Sequence, residues 1–546
     1  MSRMQGPRSR LTQLTLLLII ALPPLLPVHA QVHTAEQQTA AGMEQARAAG
    51  PLALHAFLEG MPKGGDLHNH LSGAVYAETF LRDAAADHVC INPQLLDFAR
   101  HGVALATEPC AAGSVDAATL PQHQSLYDRL IDSFSMRTFV PATGDSGHDH
   151  FFATFDHFEG LARSHTPEWV DEVAARAATQ NEQYLELMDT PDVAFAVIAQ
   201  AKPVPPGTGY AAWRQQLLDG GLTQQALAIR QQMDQFEQAR RQQERCGTAQ
   251  PAPACTVEVR YLYQVLRNMP PAAVFAQIVL GFEVAAADLA SPHPHYIGIN
   301  LVQPEDAQYS MADYKLHMQM IAALRQFYPH VQVTLHAGEL APGLVPPDGL
   351  RFHIREAIEI AGAQRIGHGV DVIYEDRPYD LLKTMSERHI LVEINLTSND
   401  VILGIQGRNH PLPLYRKYGV PIALSTDDEG VSRIDLTHEY AMAAETFDLT
   451  YPDLKEIARN SVEYSFLPGS SFWVDHDYGR PNAACATALH SRDDAEGGCA
   501  AYLTSNPKAH QQWELERRFQ RFEAAQEAVQ QRVEQPVATG RQRVRR

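Results

Sequence analysis

The chain has 546 residues, with 44 Lys and Arg against 64 Asp and Glu, a formal charge of −20, and 45 % hydrophobic against 20 % charged residues. That balance excludes a disordered or collagen-like chain, and its sign excludes a nucleic-acid binder working through a basic surface. The length admits one large barrel with insertions.

Residues 1–30 read as a signal peptide. Arg3, Arg8 and Arg10 precede an apolar run from Leu14 to Leu26, broken by Pro23 and Pro24, and Val28-His29-Ala30 forms a small-residue cleavage site. The mature chain is expected to start near Gln31, in the periplasm or secreted. The run is short for a membrane span, and no span is expected in the mature chain. Residues 31–60 form a helical lead-in.

Residues 61–505 alternate short apolar runs with longer helical patterns. The runs at 66–71, 184–188, 257–263, 296–301, 331–336, 365–369, 390–395 and 422–425 predict eight strands. Eight strands separated by helices define an α/β chain, a (β/α)8 TIM barrel. Continuously apolar runs suit strands covered on both faces. Two stretches read as insertions, at about 82–122 and 205–250. The second holds a Gln/Arg-rich helix with Leu222, Ile229, Met233 and Phe236 at helical spacing, a packing stripe. Residues 506–546 give a C-terminal helix and a solvated basic tail, Arg541 to Arg546.

The six cysteines fall as sequence neighbours: Cys90/Cys110, Cys246/Cys255 and Cys485/Cys499. Six cysteines allow fifteen connectivities, but each neighbour pair closes a short segment and none has Cys-x-x-Cys spacing. An oxidising compartment favours local disulfides. The sequon Asn395-Leu396-Thr397 lies at the end of a predicted buried strand, which suits a bacterial periplasmic chain.

Chemistry-bearing residues gather at predicted strand ends. His68 and His70 are two apart on the first strand, so both side chains point the same way and can share one metal ion. The fifth strand ends His336-Ala337-Gly338-Glu339, which adds an imidazole and a carboxyl. The small Ala-Gly pair lets a substrate approach the backbone. The sixth is Gly367-His368-Gly369. The eighth leads into Thr426-Asp427-Asp428, paired carboxylates whose repulsion a metal ion relieves. In a barrel these ends share the C-terminal mouth. His148-Asp149-His150 repeats the His-x-His spacing in an apparent loop, and His293 and His295 precede the fourth strand between prolines; all are expected outside the metal site.

This order of motifs resembles the adenosine deaminase family, as do Met61-Pro62-Lys63-Gly64 ahead of the first strand and Asn460-Ser461 with Ser465-Phe466 near the end. The resemblance runs from about residue 61 to 467. The secretory start and the cysteine-bounded insertion are more similar to the extracellular, growth-factor-related branch. The resemblance implies one Zn²⁺ per chain held by His68, His70, His336 and Asp427, with an open position for water. It implies Glu339 as proton donor to purine N1, His368 as the group orienting the water, and Asp427 as a helper in taking its proton. Substrate contacts would come from Asp428 at N7, His70, Ser72, Gln303 and Gly338.

Ser72 and Gln303 depart from the family pattern: an acidic residue or Asn usually stands at the first position and Gly at the second. The implied reaction converts adenosine and deoxyadenosine to inosine and ammonia, for scavenging of exported nucleosides. A sister reaction on AMP or a modified adenine nucleoside is the alternative, and a non-catalytic binding or signalling protein on the same barrel is a second. The expected partner is a small purine nucleoside; a homodimer is possible, and no nucleic acid is expected.

Overall fold

Eight short runs that bury side chains on both faces become eight parallel strands: β1 (Gly64–His70), β2 (Glu182–Asp189), β3 (Glu258–Leu266), β4 (Tyr296–Val302), β5 (Gln332–Ala337), β6 (Arg365–His368), β7 (Leu391–Ile394) and β8 (Ile422–Leu424). They pair in sequence order in one sheet. The sheet curls until the residues after β8 meet β1. Asn69 bridges Asp427 in parallel register, the Asp427 N–H donates to His68 O at 2.9 Å, and the His70 N–H donates to Asp427 O at 2.9 Å. The computed structural model describes residues 34–102, 104–487 and 494–534. The expected signal peptide and the basic tail lie outside them.

All eight strands form where the apolar runs place them. The main shift is at β3, which runs to Leu266 and not to 263. Gln264 looks like a strand-ending polar residue, yet it pairs with Asn300 of β4 and its amide bonds the His70 ring. Polar groups of this kind are tolerated because they line the lumen.

The helices used below, in chain order, are α1 (Ala35–Ala49), α2 (Pro51–Gly60), α3 (Gly147–Phe158), α4 (Leu222–Gln243), α5 (Pro271–Leu289), α6 (Leu396–Leu403), α7 (Tyr451–Glu463) and α8 (Pro507–Glu534). Thr34 and Gln37 form a capping box on α1. Lys63 follows α2, and its buried ammonium donates to the carbonyls of Leu58 at 2.7 Å, Met61 at 3.1 Å and Gln180 at 2.7 Å. It thereby caps α2 and ties the lead-in to the entry of β1.

His148 and His150 lie in the first turn of α3 and not in a loop, because the Ser146 hydroxyl caps that turn by accepting from Asp149 N. α4 buries Leu222, Ile229 and Met233, as its stripe requires, while Phe236 packs half-buried at the edge. Among the described residues, α5 alone is long and apolar enough to cross a membrane; it is mostly buried and packs on α4, β3 and β4.

The three disulfides join the sequence neighbours: Cys90–Cys110, Cys246–Cys255 and Cys485–Cys499. The first staples a small antiparallel sheet of Cys90–Asn92, Asp97–Phe98 and Val115–Asp116 inside the expected insertion at 82–122. The second ties off the segment following α4.

Candidate active site

Four side chains from three distant parts of the chain converge at the C-terminal ends of the strands. His68 Nε2 lies 3.1 Å from His336 Nε2 and 3.3 Å from Asp427 Oδ1; His70 Nε2 lies 3.2 Å from each of the same two atoms. All four residues are buried. Each imidazole is turned by a bond on its far side. His68 Nδ1 donates to Glu393 Oε2 at 2.7 Å, His70 Nδ1 to Gln264 Oε1 at 2.8 Å, and His336 Nδ1 to Asn300 Oδ1 at 3.0 Å. With each Nδ1 directed outward, the three Nε2 atoms face one another and a carboxylate.

That arrangement is repulsive unless positive charge sits between the four atoms. Burial disfavours a charged His68, yet Asp427 and Glu393 overcome it and lift the ring to about 10. A proton can rest on only one of the nitrogens, whereas a divalent ion satisfies all four donors. Three imidazoles and one carboxylate suit a catalytic zinc-type site with a free position, and outward partners of this kind fix the ligating tautomer.

Below these four side chains runs a column of buried charge. Glu393 Oε1 accepts from Arg365 Nε at 2.6 Å and from the Thr334 hydroxyl at 2.8 Å, and Arg365 Nη2 donates to Glu186 Oε2 at 2.6 Å. Burial pushes the Glu393 carboxyl up, but Arg365 and His68 prevail and hold it at about 2. Gly367 makes room for this column, because a Cβ there would lie 2.5 Å from Cε1 of His68.

Around the same four side chains stand the groups able to move protons. Glu339 is buried, and burial first, then the charges of Asp427 and Glu305, push its carboxyl well above the usual range, favouring the protonated form. Its backbone is held because Glu305 accepts from Gly338 N at 3.1 Å and from Glu339 N at 2.8 Å. His368 Nδ1 is 3.7 Å from Glu339 Oε1, and its Nε2 is 4.0 Å from Asp427 Oδ2. Burial lowers His368 to about 3, so the ring is neutral. The Ser398 hydroxyl donates to Asp427 Oδ2 at 2.6 Å. Burial raises Asp428 to about 7, and its Oδ1 is buried beside Gly73 with no hydrogen-bond partner among the described residues. His368 and Asp427 sit at φ +66° and +61°, left-handed backbone that non-glycine residues adopt at a cost and that is common at functional sites.

The expected site residues His68, His70, His336, Gly338, Glu339, His368, Asp427 and Asp428 all come together. Ser72 is exposed on the first turn after β1. Gln303 keeps the left-handed backbone, φ +83°, that favours glycine, but its side chain turns back to accept from Asn268 N at 2.8 Å. His148 pairs with Asp306 at 3.1 Å, and His295 pairs with Asp234 at 3.0 Å; neither reaches the ligand cluster. Sequence reasoning missed Gln264, Asn300, Glu305, Arg365, Glu393, Ser398 and Asn399. Glu393 and Arg365 did carry a signal: a full charge on an otherwise apolar strand.

A parallel eight-stranded barrel with a His3Asp cluster at its C-terminal mouth defines the class of metal-dependent barrel hydrolases. The adenosine deaminase family model matches residues 135–471, and the chain belongs to that family. A segment of 136 residues is 38 % identical to the adenosine deaminase of Clostridium perfringens, covering 25 % of this chain and 38 % of that one. The adenosine deaminase of Aliivibrio fischeri is 36 % identical over 141 residues, 26 % of this chain and 39 % of that one. The matched segment thus spans about two fifths of the length of these curated relatives. Among solved structures, an amidohydrolase from Burkholderia ambifaria with bound Zn superposes with a TM-score of 0.50 at 17 % identity, covering 76 % of this chain and 88 % of that chain, a likeness of fold.

Proposed function

We propose that the chain is a zinc-dependent aminohydrolase that removes the 6-amino group of adenosine and deoxyadenosine, giving inosine or deoxyinosine and ammonia, outside the cytoplasm. The observation that carries this reading is the convergence of three inward-facing Nε2 atoms and Asp427 beside a carboxyl, Glu339, that favours its proton. His68, His70, His336 and Asp427 would hold the ion, which when bound lowers the pKa of water enough to supply a nucleophile near neutral pH.

The chain's own residues account for the rest. Glu339 donates its proton to N1 of the purine, which draws electron density from C6 and opens it to attack. The neutral His368 ring holds the attacking oxygen on the Asp427 side. Asp427 Oδ2, already held by Ser398, accepts the proton that the oxygen loses. Asp428, protonated in part near neutral pH, donates to N7, which uses the carboxyl oxygen that has no partner among the described residues. Asp427 passes that proton to the amino group, which leaves as ammonia, and the remaining hydroxyl proton returns to Glu339 as the C6 carbonyl forms.

Three disulfides fit an exported protein, as does the N-terminal segment. The test is the loss of adenosine absorbance in the purine band, with and without a chelator, followed by deoxyadenosine, AMP and adenine. The reading expects rapid loss with the metal-replete chain and none after chelation. An inert metal-replete chain would overturn it, and a preference for AMP would move the substrate to the nucleotide.

A further inference from the structure

We propose that His410 and Asn399 are positioning residues that fix His368 as the tautomer carrying its hydrogen on Nε2. The proposal uses the role of His368 in the deaminase reading above, but the tautomer itself can be tested without it.

One group in this network has a fixed polarity. A main-chain N–H can only donate, and the N–H of Leu412 points at His410 Nδ1, 3.1 Å away. His410 Nδ1 must therefore accept. The ring is buried, which lowers it to about 3 and leaves it neutral, so its one hydrogen is on Nε2. His410 Nε2 lies 3.0 Å from Asn399 Oδ1 and donates to it. That bond orients the Asn399 amide, leaving Nδ2 as donor. Asn399 Nδ2 is 2.9 Å from His368 Nδ1. His368 Nδ1 therefore accepts, and its hydrogen is on Nε2, facing Asp427 Oδ2. Each bond in the chain sets the direction of the next. The Asn395 amide stands 3.4 and 3.5 Å from the two His368 nitrogens, too long on either side to reverse the assignment.

The scaffold keeps the chain in place. Asn399 is on α6, directly after β7, and His410 and Asn399 are both buried. The consequence is a division of labour. His368 meets the reacting oxygen as a donor and cannot take its proton, which leaves Asp427 as the acceptor.

Three variants separate this role from plain packing. H410Q offers an acceptor for Leu412 N and a donor for Asn399, whereas H410L offers neither. N399D turns a carboxylate toward His368 Nδ1 and draws the hydrogen onto that nitrogen. We expect H410L and N399D to lower kcat by roughly 10²- to 10⁴-fold, the scale of a wrong tautomer, with metal content and melting temperature near wild type. H410Q should retain activity within about tenfold.

The direct test is neutron diffraction of the full-length wild-type chain in D₂O, with the N399D chain beside it. Deuterium on His368 Nε2 alone in the wild type, and on Nδ1 in N399D, supports the assignment. Deuterium on Nδ1 in the wild type overturns it whether or not the chain deaminates adenosine. Equal activity losses in H410Q and H410L, each matched by a fall in melting temperature, would also overturn the positioning role. Failure of the deaminase reading appears separately, as a wild-type chain inert toward every aminopurine tried.

Discussion

Asp427 is tied through its main chain to His68: its N–H donates to the His68 carbonyl at 2.9 Å, while their side chains meet at 3.3 Å. The bond that closes the barrel is thus also the bond that sets two of the four converging side chains side by side. His70, two residues along β1, repeats the pattern by donating its N–H to Asp427 O. The geometry of the cluster is therefore a property of the closed sheet and not of mobile loops, which is how a site stays preorganised.

Because the cluster needs positive charge at its centre, ion binding should stabilise the fold. An ion present at 100 times its dissociation constant adds about 2.7 kcal/mol. The expected result is a melting temperature that rises with Zn²⁺ and falls after exhaustive chelation. The same titration on the His336→Ala chain should give no rise.

Glu339→Gln keeps the shape of the side chain but removes its acidic proton. Since Glu339 is not among the four converging atoms, bound metal should be retained while kcat for adenosine falls by roughly 10²- to 10⁴-fold. Activity within threefold of wild type would remove Glu339 from the proton-donor role.

Much of this was legible in the sequence. All eight strands appear as apolar runs, and His68, His70, His336 and Asp427 fall at strand ends, because a parallel barrel converts position along a strand into height in the lumen. What was not legible depends on register between distant strands. Nothing local marks Gln264, just past the predicted end of its strand, as the partner of His70, or Asn300, inside its predicted strand, as the partner of His336. The path from Leu412 through His410 and Asn399 to His368 lies in loops and helix starts, where no period applies. Gln303 misled for another reason: its backbone serves as the family's glycine would, while its side chain is used elsewhere.

Gly367→Ala places a methyl group 2.5 Å from Cε1 and 2.8 Å from Nδ1 of His68. The ring must tilt away from Glu393, so metal affinity should fall at least tenfold and stability by about 1–3 kcal/mol. Competition with a coloured chelator and urea denaturation measure the two effects. An unchanged affinity would show that the ring does not depend on this contact.

Glu375 gives a pH dependence away from the ligands. Burial raises its carboxyl from the ordinary 4.5 to about 7, against the bonds it accepts from Ile354 N at 2.7 Å and Arg355 N at 3.3 Å. The folded chain then holds a proton that the unfolded chain has released, so this group's contribution falls as pH rises from 4.5 to 7, by on the order of 3 kcal/mol. Glu375→Gln mimics the protonated form and should remove that slope. In urea unfolding the variant should match wild type near pH 4.5 and exceed it at pH 8; a variant weaker than wild type at pH 8 would contradict the sign.

The central claim is that His68, His70, His336 and Asp427 hold one divalent ion. The most direct test is metal content by mass spectrometry on the purified chain, beside His70→Ala and Asp427→Ala chains whose folding is checked by circular dichroism. The account predicts close to one equivalent in the wild type and far less in each folded variant. A folded variant that keeps its full equivalent, or a metal-free wild-type chain that deaminates adenosine at full rate, would contradict it.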